Sequence, residues 1–334
     1  MRIFLTGATG YIGGVLARRL SSGGHELIAL VRPTSDPRQL EALGVSTSVG
    51  DVTDRYSLRP GMAGADLVIH AAADLDMSAP AEERRRRMEE VNVQGTENVA
   101  SLAYKLGVGS LLHVSSVARW GGSPPDGSPA DEESPLYEPP STYARTKADA
   151  DRAVDSWQEQ GLEVRRVYPS LVYGPPGKDA GTNALLGALA RGETKVLVGA
   201  DRRLSWVHVD DVVDGICKVI ERGEAGRGYL LAGEVATLGE VAGRVCALAG
   251  RRPPRLRLPL PVAKGALKVW RWASALGAPE PAFTSEQLES LGRHWAFDDS
   301  RARRELGWRP RPLAEGLPPT VEQLTVERLT GQGR

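Results

Sequence analysis

Two cysteines, Cys217 and Cys246, are all that 334 residues contain. That scarcity excludes a disulfide framework as the main source of stability and favours a reduced, cytoplasmic setting. Both lie in apolar helical patterns and read as buried structural thiols. Net charge is also lacking, since 42 basic residues cancel 42 acidic ones. A neutral chain argues against nucleic acid or a membrane surface as the main partner. No run approaches the ~20 apolar residues of a membrane span, so stable membrane insertion is not expected. The opening Met1-Arg2 leads directly into Ile3-Phe4-Leu5, which reads as a strand and not as a secretory leader. His25, His70, His113, His208 and His294 are scattered without metal-ligand spacing, so no metal is expected. His208 reads as a structural hydrogen-bonding residue.

What is present is an alternation of two hydrophobic periods. Short apolar runs at 2–6, 26–31, 45–49, 66–71, 110–115 and 163–168 predict strands. Amphipathic patterns at 11–22, 36–43, 82–106 and 142–160 predict helices between them. Strands alternating with helices imply right-handed βαβ units and an α/β fold with a Rossmann-type, doubly wound parallel sheet. Texture changes at Gly174-Pro175-Pro176-Gly177. Residues 1–173 are therefore expected to bind a dinucleotide. Residues 174–334 should form a smaller, mainly helical substrate lobe, with strands at 195–198 and 228–231 and some segments returning to the sheet. Gly121–Pro140, rich in Gly, Pro, Ser and acids, predicts a mobile surface loop. The run Arg84–Arg87 reads as a solvated helix face balanced by Glu82, Glu83, Glu89 and Glu90.

A dinucleotide is signalled by Thr6-Gly7-Ala8-Thr9-Gly10-Tyr11-Ile12-Gly13, between the first strand and first helix. Gly7 allows the tight turn, Gly10 lets backbone approach a pyrophosphate, and Gly13 lets helix pack closely on strand. Free N–H groups and the helix dipole then favour phosphate. The second strand ends in Leu30-Val31-Arg32-Pro33-Thr34-Ser35, where an NAD enzyme would carry Asp or Glu for the ribose hydroxyls. Arg32, with Arg38 nearby, favours NADP, with NAD as the alternative. Asp51-Val52 fall where the adenine would lie, and Ala71-Ala72-Ala73 let backbone pass under the cofactor. Asn92, before Gly95, is placed to hold a water or backbone group in a proton relay, or to serve as a plain helix-face amide.

The chemistry is signalled by Tyr143-Ala144-Arg145-Thr146-Lys147. Spacing of four puts phenol and ammonium on one helix face. A free phenol titrates near ~10, too high for proton exchange at neutral pH. A neighbouring Lys147 cation, with a cationic nicotinamide, would favour the phenolate. The preceding strand ends in Val114-Ser115-Ser116, which offers a hydroxyl to a substrate carbonyl.

The motifs, in order, are TGATGYIGG at 6–14, GDVTD at 50–54, HAAA at 70–73, NVQGT at 92–96, HVSS at 113–116, YARTK at 143–147, YGPPG at 173–177 and VHVDDVV at 207–213. With Phe297–Ser300 and Glu305–Trp308, they cover essentially the whole chain. The sequence resembles the extended short-chain dehydrogenase/reductases, the NAD-dependent epimerase/dehydratase family. Within it, LVRPTSD at 30–36 is similar to the dihydroflavonol-reductase-like and hopanoid-associated branch. The resemblance implies Ser116, Tyr143 and Lys147 as catalytic. It implies a cofactor held by Gly7, Thr9, Gly10, Tyr11, Ile12, Arg32, Asp51, Val52, Ala71, Ala72, Ala73, Asn92, Ser115, Tyr143, Lys147, Pro169, Ser170 and Val172.

Three departures narrow the chemistry. Val117-Ala118 follow Ser116 where nucleotide-sugar dehydratases carry Asp-Glu. Nucleotide-sugar enzymes usually place a diphosphate-binding Asn before V-Y-G-P, where this chain reads Ser170-Leu171-Val172-Tyr173-Gly174, with Pro169 ahead. The arginine before VHVDD is shifted to Arg203. The expectation is an NADP-dependent reductase/dehydrogenase acting on a ketone or aldehyde of a small, largely apolar molecule, in a monomer or homodimer. The competing readings are an NAD-dependent nucleotide-sugar epimerase and a non-catalytic cofactor-binding regulator, against which the intact Ser, Tyr and Lys argue. Residues 256–276 read as a helix with Lys264, Lys268 and Arg271 on one face and Leu267, Val269, Trp270 and Ala273 in part on the other. It serves either as an ordinary lobe helix or as a wall over the substrate cleft.

Overall fold

The structure is a computed structural model describing residues 1–76, 79–175, 181–274 and 284–326. In chain order the first half runs β1 (Arg2–Thr6), α1 (Tyr11–Ser21), β2 (Glu26–Val31), α2 (Arg38–Glu41), β3 (Ser46–Val49), α3 (Arg55–Met62), β4 (Leu67–His70), α4 (Ala81–Met88), α5 (Gly95–Lys105), β5 (Ser110–Val114), α6 (Thr142–Glu159) and β6 (Val164–Pro169). The second half runs β7 (Leu171–Tyr173), α7 (Gly181–Ala190), β8 (Val196–Val198), β9 (Arg203–His208), α8 (Val209–Arg222), β10 (Gly228–Leu231), β11 (Glu234–Thr237), α9 (Leu238–Leu248), β12 (Leu256–Leu258), α10 (Leu260–Ser274), α11 (Ser285–Leu291), α12 (Ser300–Leu306) and α13 (Leu313–Val326). Each sequence-predicted strand of the first half is present within one residue at each end. A π-helical turn at Glu89–Gln94 interrupts the predicted long helix.

Seven strands form one parallel sheet in the order β10-β6-β5-β4-β1-β2-β3. Ile3 pairs with Leu27 on one side and Leu67 on the other. Alternate side chains point to opposite faces, so Ile3 and Leu5 join one core and Phe4 the other. The first core is covered by Leu16 and Leu20 of α1, Val212, Ile216 and Val219 of α8, and Ala302 and Leu306 of α12. The second is covered by Leu58 and Met62 of α3, Val99 and Ala103 of α5, and Val154 of α6. From β1 the strands are added outward through β2 to β3, then on the other side from β4 onward, so the strand order reverses between β1 and β4. This topological switch point opens a crevice at the strands' carboxyl ends, the usual ligand site of such sheets.

The second lobe has its own core of Leu186, Leu189, Trp206, Val241, Val245, Leu317 and Val321 around two small sheets, β11-β9-β7 and β12-β8. β10 leaves that lobe to complete the large sheet beside β6. Cys246 is buried and Cys217 half-buried, and both are free thiols. Among the described residues no helix is long and apolar enough to cross a membrane.

The segment 121–140 is pinned rather than mobile, which corrects the compositional expectation. Arg293 Nη1 donates to the Gly121 and Glu138 carbonyls at 2.6 and 2.5 Å. Arg203 Nη1 donates to the Gly127 carbonyl at 2.8 Å. Ala130 bridges to Phe297, and the Trp120 indole donates to the Ser134 carbonyl at 3.2 Å. Polar composition predicted exposure, but backbone carbonyls clasped by arginines from distant elements fix the loop.

Candidate active site

The crevice begins at the β1–α1 turn. Gly7 adopts φ 76°, and a Cβ there would lie 2.6 Å from the Ala71 carbonyl carbon. A Cβ on Gly13 would lie 2.0 Å from the Gly7 carbonyl oxygen. Both positions require glycine, and α1 consequently starts directly above the end of β1. Its N-cap, Gly10, supplies no side-chain cap, and no acid stands in its first turn. The first-turn N–H groups of Tyr11 and Ile12 are therefore left for an external acceptor, as a diphosphate requires. Thr9 and Gly10 are exposed at the crevice mouth. A dinucleotide fits this cradle.

Beside it, the Ala71 N–H donates to the Thr6 carbonyl at 3.3 Å and the Ala72 N–H to the Thr6 hydroxyl at 3.3 Å, keeping Ala71–Ala73 close along the floor. The Thr6 hydroxyl also meets His70 Nδ1 at 2.8 Å, and His70 Nε2 meets the Thr96 hydroxyl at 3.0 Å. Burial holds this ring neutral, far below its ordinary pKa, with the charges of His113 and Lys147 acting in the same direction. Arg32 is exposed just past β2 and makes no ion pair among the described residues. Arg38, the other cation nearby, is already paired with Asp36, which it holds down to about 2 by hydrogen bonds. Asp51 accepts from the Thr53 N–H and hydroxyl at 2.9 Å each, and Val52 is buried against Gly95.

At the end of β5 the two serines diverge. The Ser115 hydroxyl points inward and donates to Asp151 Oδ2 at 3.0 Å. Ser116 accepts the Ala118 N–H at 3.1 Å and lies beside the Tyr143 phenol. Tyr143 stands in the first turn of α6, whose N-cap Ser141 accepts from the Ala144 N–H at 3.2 Å. Lys147, one turn on and 2% exposed, donates to the Val114 carbonyl at 3.1 Å. Burial pulls its ammonium down to about 8, against the attraction of Asp151. Burial raises the Tyr143 phenol, and the neighbouring Ser116 hydroxyl only partly offsets this. The expected phenolate relied on the Lys147 cation together with a nicotinamide, and Lys147 alone does not produce it here. The reason is that Lys147 addresses a backbone carbonyl in this structure, so desolvation of the phenol dominates.

Beneath Lys147 lies a buried polar cluster that sequence reasoning missed. Asp151 sits 2.9 Å from Arg119 Nε and 3.3 Å from His113 Nε2. Burial alone would raise its carboxyl, but the His113 hydrogen bond and the charges of His113, Arg119 and Lys147 bring it below its ordinary value. The available signal was spacing, since Asp151 follows Lys147 by one helical turn. Asn92, at the π-turn, accepts the Asp74 N–H at 2.7 Å and donates to the Asp74 carbonyl and Thr146 hydroxyl at 3.1 Å each. It holds a backbone group, tying the loop after β4 to α6.

Across the crevice, Ser170 donates to the Ala232 carbonyl at 2.7 Å, Pro169 ends β6, and Val172 packs on the first core. The Tyr11 hydroxyl donates to the Gly174 carbonyl at 2.5 Å and receives Asn183 Nδ2 at 3.3 Å, linking α1 to the second lobe. His208 caps α8 by accepting the Asp210 N–H at 3.2 Å, a structural role. Pro176 and Gly177 of the YGPPG motif lie outside the described residues. Among the described residues no group of three or more His, Cys, Asp or Glu is arranged to hold a metal.

The profile of the NAD dependent epimerase/dehydratase family matches residues 3–232. The chain is 30% identical to sterol demethylase protein B of Methylococcus capsulatus, over 93% of this chain and 94% of that one. It is 31% identical to the 4-hydroxy-2-methyl-3-oxo-4-farnesyl-3,4-dihydroquinoline-1-oxide ketoreductase of Stigmatella aurantiaca, over 93% and 92%. The crystal structure of gox2253 superposes with a TM-score of 0.85 at 33% identity, covering 100% of this chain and 99% of that one. With a glycine-rich turn at the switch point and this breadth of match, the chain belongs to the NAD-dependent epimerase/dehydratase family and is an NAD(P)-binding enzyme of the extended short-chain dehydrogenase/reductase type.

Proposed function

We propose that the protein is an NADP-dependent reductase of a ketone or aldehyde on a small, largely apolar molecule. The observation that carries this reading is the placement of Ser116 beside Tyr143 at the carboxyl end of β5, with burial favouring the protonated phenol. A protonated phenol beside a hydroxyl suits a carbonyl oxygen, which accepts from both. A bound NADPH supplies the hydride to the carbonyl carbon. As the oxygen gains charge, Tyr143 passes it its proton, giving the alcohol, and solvent restores the phenol. Lys147 then acts on the ribose and on the transient phenolate, and its lowered pKa keeps it ready to exchange a proton. Val117-Ala118 after Ser116 leave no carboxyl for dehydration.

Support for an apolar substrate comes from the farnesylated quinoline named for the ketoreductase relative and from the absence of an asparagine directly before Val172-Tyr173-Gly174. Residues 1–173 with the returning segments would hold the cofactor, and the remainder the substrate.

The test is NADPH oxidation over a carbonyl panel, with UDP-hexoses as competitors. Tyr143→Phe should lower turnover by about 10²-fold or more while cofactor binding stays near wild type. Lys147→Met should damage both. A protein purified with tightly held NAD, binding UDP-hexose and consuming no NADPH, is instead a nucleotide-sugar epimerase.

A further inference from the structure

Helix α10 presents two apolar faces. Ala263 and Leu267 are buried against Leu288 and Val198, which explains how the helix attaches to its lobe. On the opposite side, Val262, Ala266 and Val269 recur at helical spacing beside Gly265 and Trp272. Val262, Val269, Trp270 and Trp272 are 54%, 68%, 50% and 69% exposed. Exposed apolar residues on one soluble surface are normally scattered, and a cluster marks a contact.

Charge along this stretch of the chain is one-signed. Residues 241–279 contain eight Lys and Arg and no Asp or Glu, although the whole chain is neutral. Arg244 pairs with Glu234 and Lys264 with Glu289. Arg251, Arg252, Arg255, Arg257 and Lys268 are exposed and make no ion pair with any described residue. Neutrality of the chain, taken in the sequence as evidence against a membrane surface, conceals this segregation.

We propose that α10 and the arginine segment before it dock the protein on an anionic lipid bilayer surface. Tryptophan and valine on a helix flanked by cations match the interfacial pattern, in which rings settle at headgroup depth and cations face lipid phosphates. A second copy of the chain fits less well, because a two-fold pairing of this patch would bring like charges together. The docked unit adjoins the candidate site. α10 packs on α11, whose Glu286 accepts the Thr142 hydroxyl at 2.8 Å, one residue before Tyr143. A peripheral enzyme held this way would meet bilayer-dissolved substrates from the membrane side. The docking itself does not depend on which substrate is turned over.

The test is co-sedimentation of the full chain with vesicles of equimolar phosphatidylcholine and phosphatidylglycerol, beside vesicles of phosphatidylcholine alone. Binding is expected only with phosphatidylglycerol and should fall steeply with salt. Val269→Asp with Trp272→Asp, and separately Arg257→Glu with Lys268→Glu, should each lower partitioning by about tenfold or more. All four positions are exposed, so melting temperature and cofactor binding should hold. Failure of the unmodified protein to bind anionic vesicles overturns the proposal, as does unchanged binding by the variants. A dimer in solution that Val269→Asp dissociates would assign the patch to a second copy instead.

Discussion

Arg32 carries the proposed NADP preference by elimination. Arg38, its rival, is neutralised by Asp36, while Arg32 stands exposed past β2 without an ion pair among the described residues. A charge-assisted bond to a ribose phosphate contributes about 1.5–3 kcal/mol, or roughly tenfold to a hundredfold in affinity. Arg32→Glu should weaken NADP by that factor and leave NAD nearly unaffected. Equal NADP affinity in titrations of both proteins would remove Arg32 from the site.

His113 gives a second prediction. Unfolded, its ring takes a proton below about 6.5. Folded, burial delays this to about 4. Between those values the unfolded chain binds more protons, so stability falls as pH drops through the window, by about 3 kcal/mol. His70 shifts in the same direction and adds to the loss. Urea unfolding at pH 7 and pH 4.5 checks this, and His113→Gln should reduce the slope. A profile flat between those values refutes it.

These residues also show what sequence could reveal. Gly7, Gly13, Tyr143 and Lys147 follow from short spacings, which local backbone geometry preserves. Asp151, His113 and Arg119 meet only because α6 packs over β5, and nothing local announces that.

Among the elements, every strand of the large sheet was legible, whereas β7, β9, β11 and β12 of the second lobe were not. β9 went unseen because Ser205, fully buried, interrupts its pattern, yet its hydroxyl accepts the Phe297 N–H at 2.9 Å. α3 went unseen because Pro60 and Gly61 read as breakers. Pro60 falls late in the helix, and Gly61 is required by contact, since a Cβ there would lie 2.6 Å from the Phe4 ring. The arginine run on α4 was read correctly in part. Arg85 pairs with Glu82 and Glu89, and Arg86 lies 3.7 Å from Glu90, all at the surface. Arg84 instead is 4% exposed and lies 3.3 Å from Glu286, so three helices meet at one carboxylate. Removing Glu286 leaves Arg84 buried without its counter-charge. Glu286→Ala should cost about 2 kcal/mol, less than a fully buried pair because Glu286 is partly exposed. Urea unfolding of Glu286→Ala, Arg84→Met and their double variant checks this by non-additivity, with a coupling of about 1 kcal/mol or more. Additive losses would show that the contact contributes nothing.

At the scale of the molecule, the cofactor cradle unites the ends of β1, β4, β5 and β6, so a bound dinucleotide braces the sheet. Ligand at about a hundred times its dissociation constant stabilises the native state by about 2.7 kcal/mol. NADP should therefore raise the melting temperature more than NAD at equal concentration, and a larger rise with NAD would reverse the preference inferred from Arg32.

β10 has a further consequence. It occupies the sheet edge next to β6, and the face behind it is closed by Ala302, Leu306 and Trp308. In the chain these residues follow all the other strands of the large sheet. Until they emerge, the nascent chain displays the open hydrogen-bonding edge of β6 and an uncovered apolar face, both prone to off-pathway pairing. The dinucleotide-binding sheet can then close only after residues 228–308 have emerged, and holding factors that shield exposed apolar surface would be needed most in that interval.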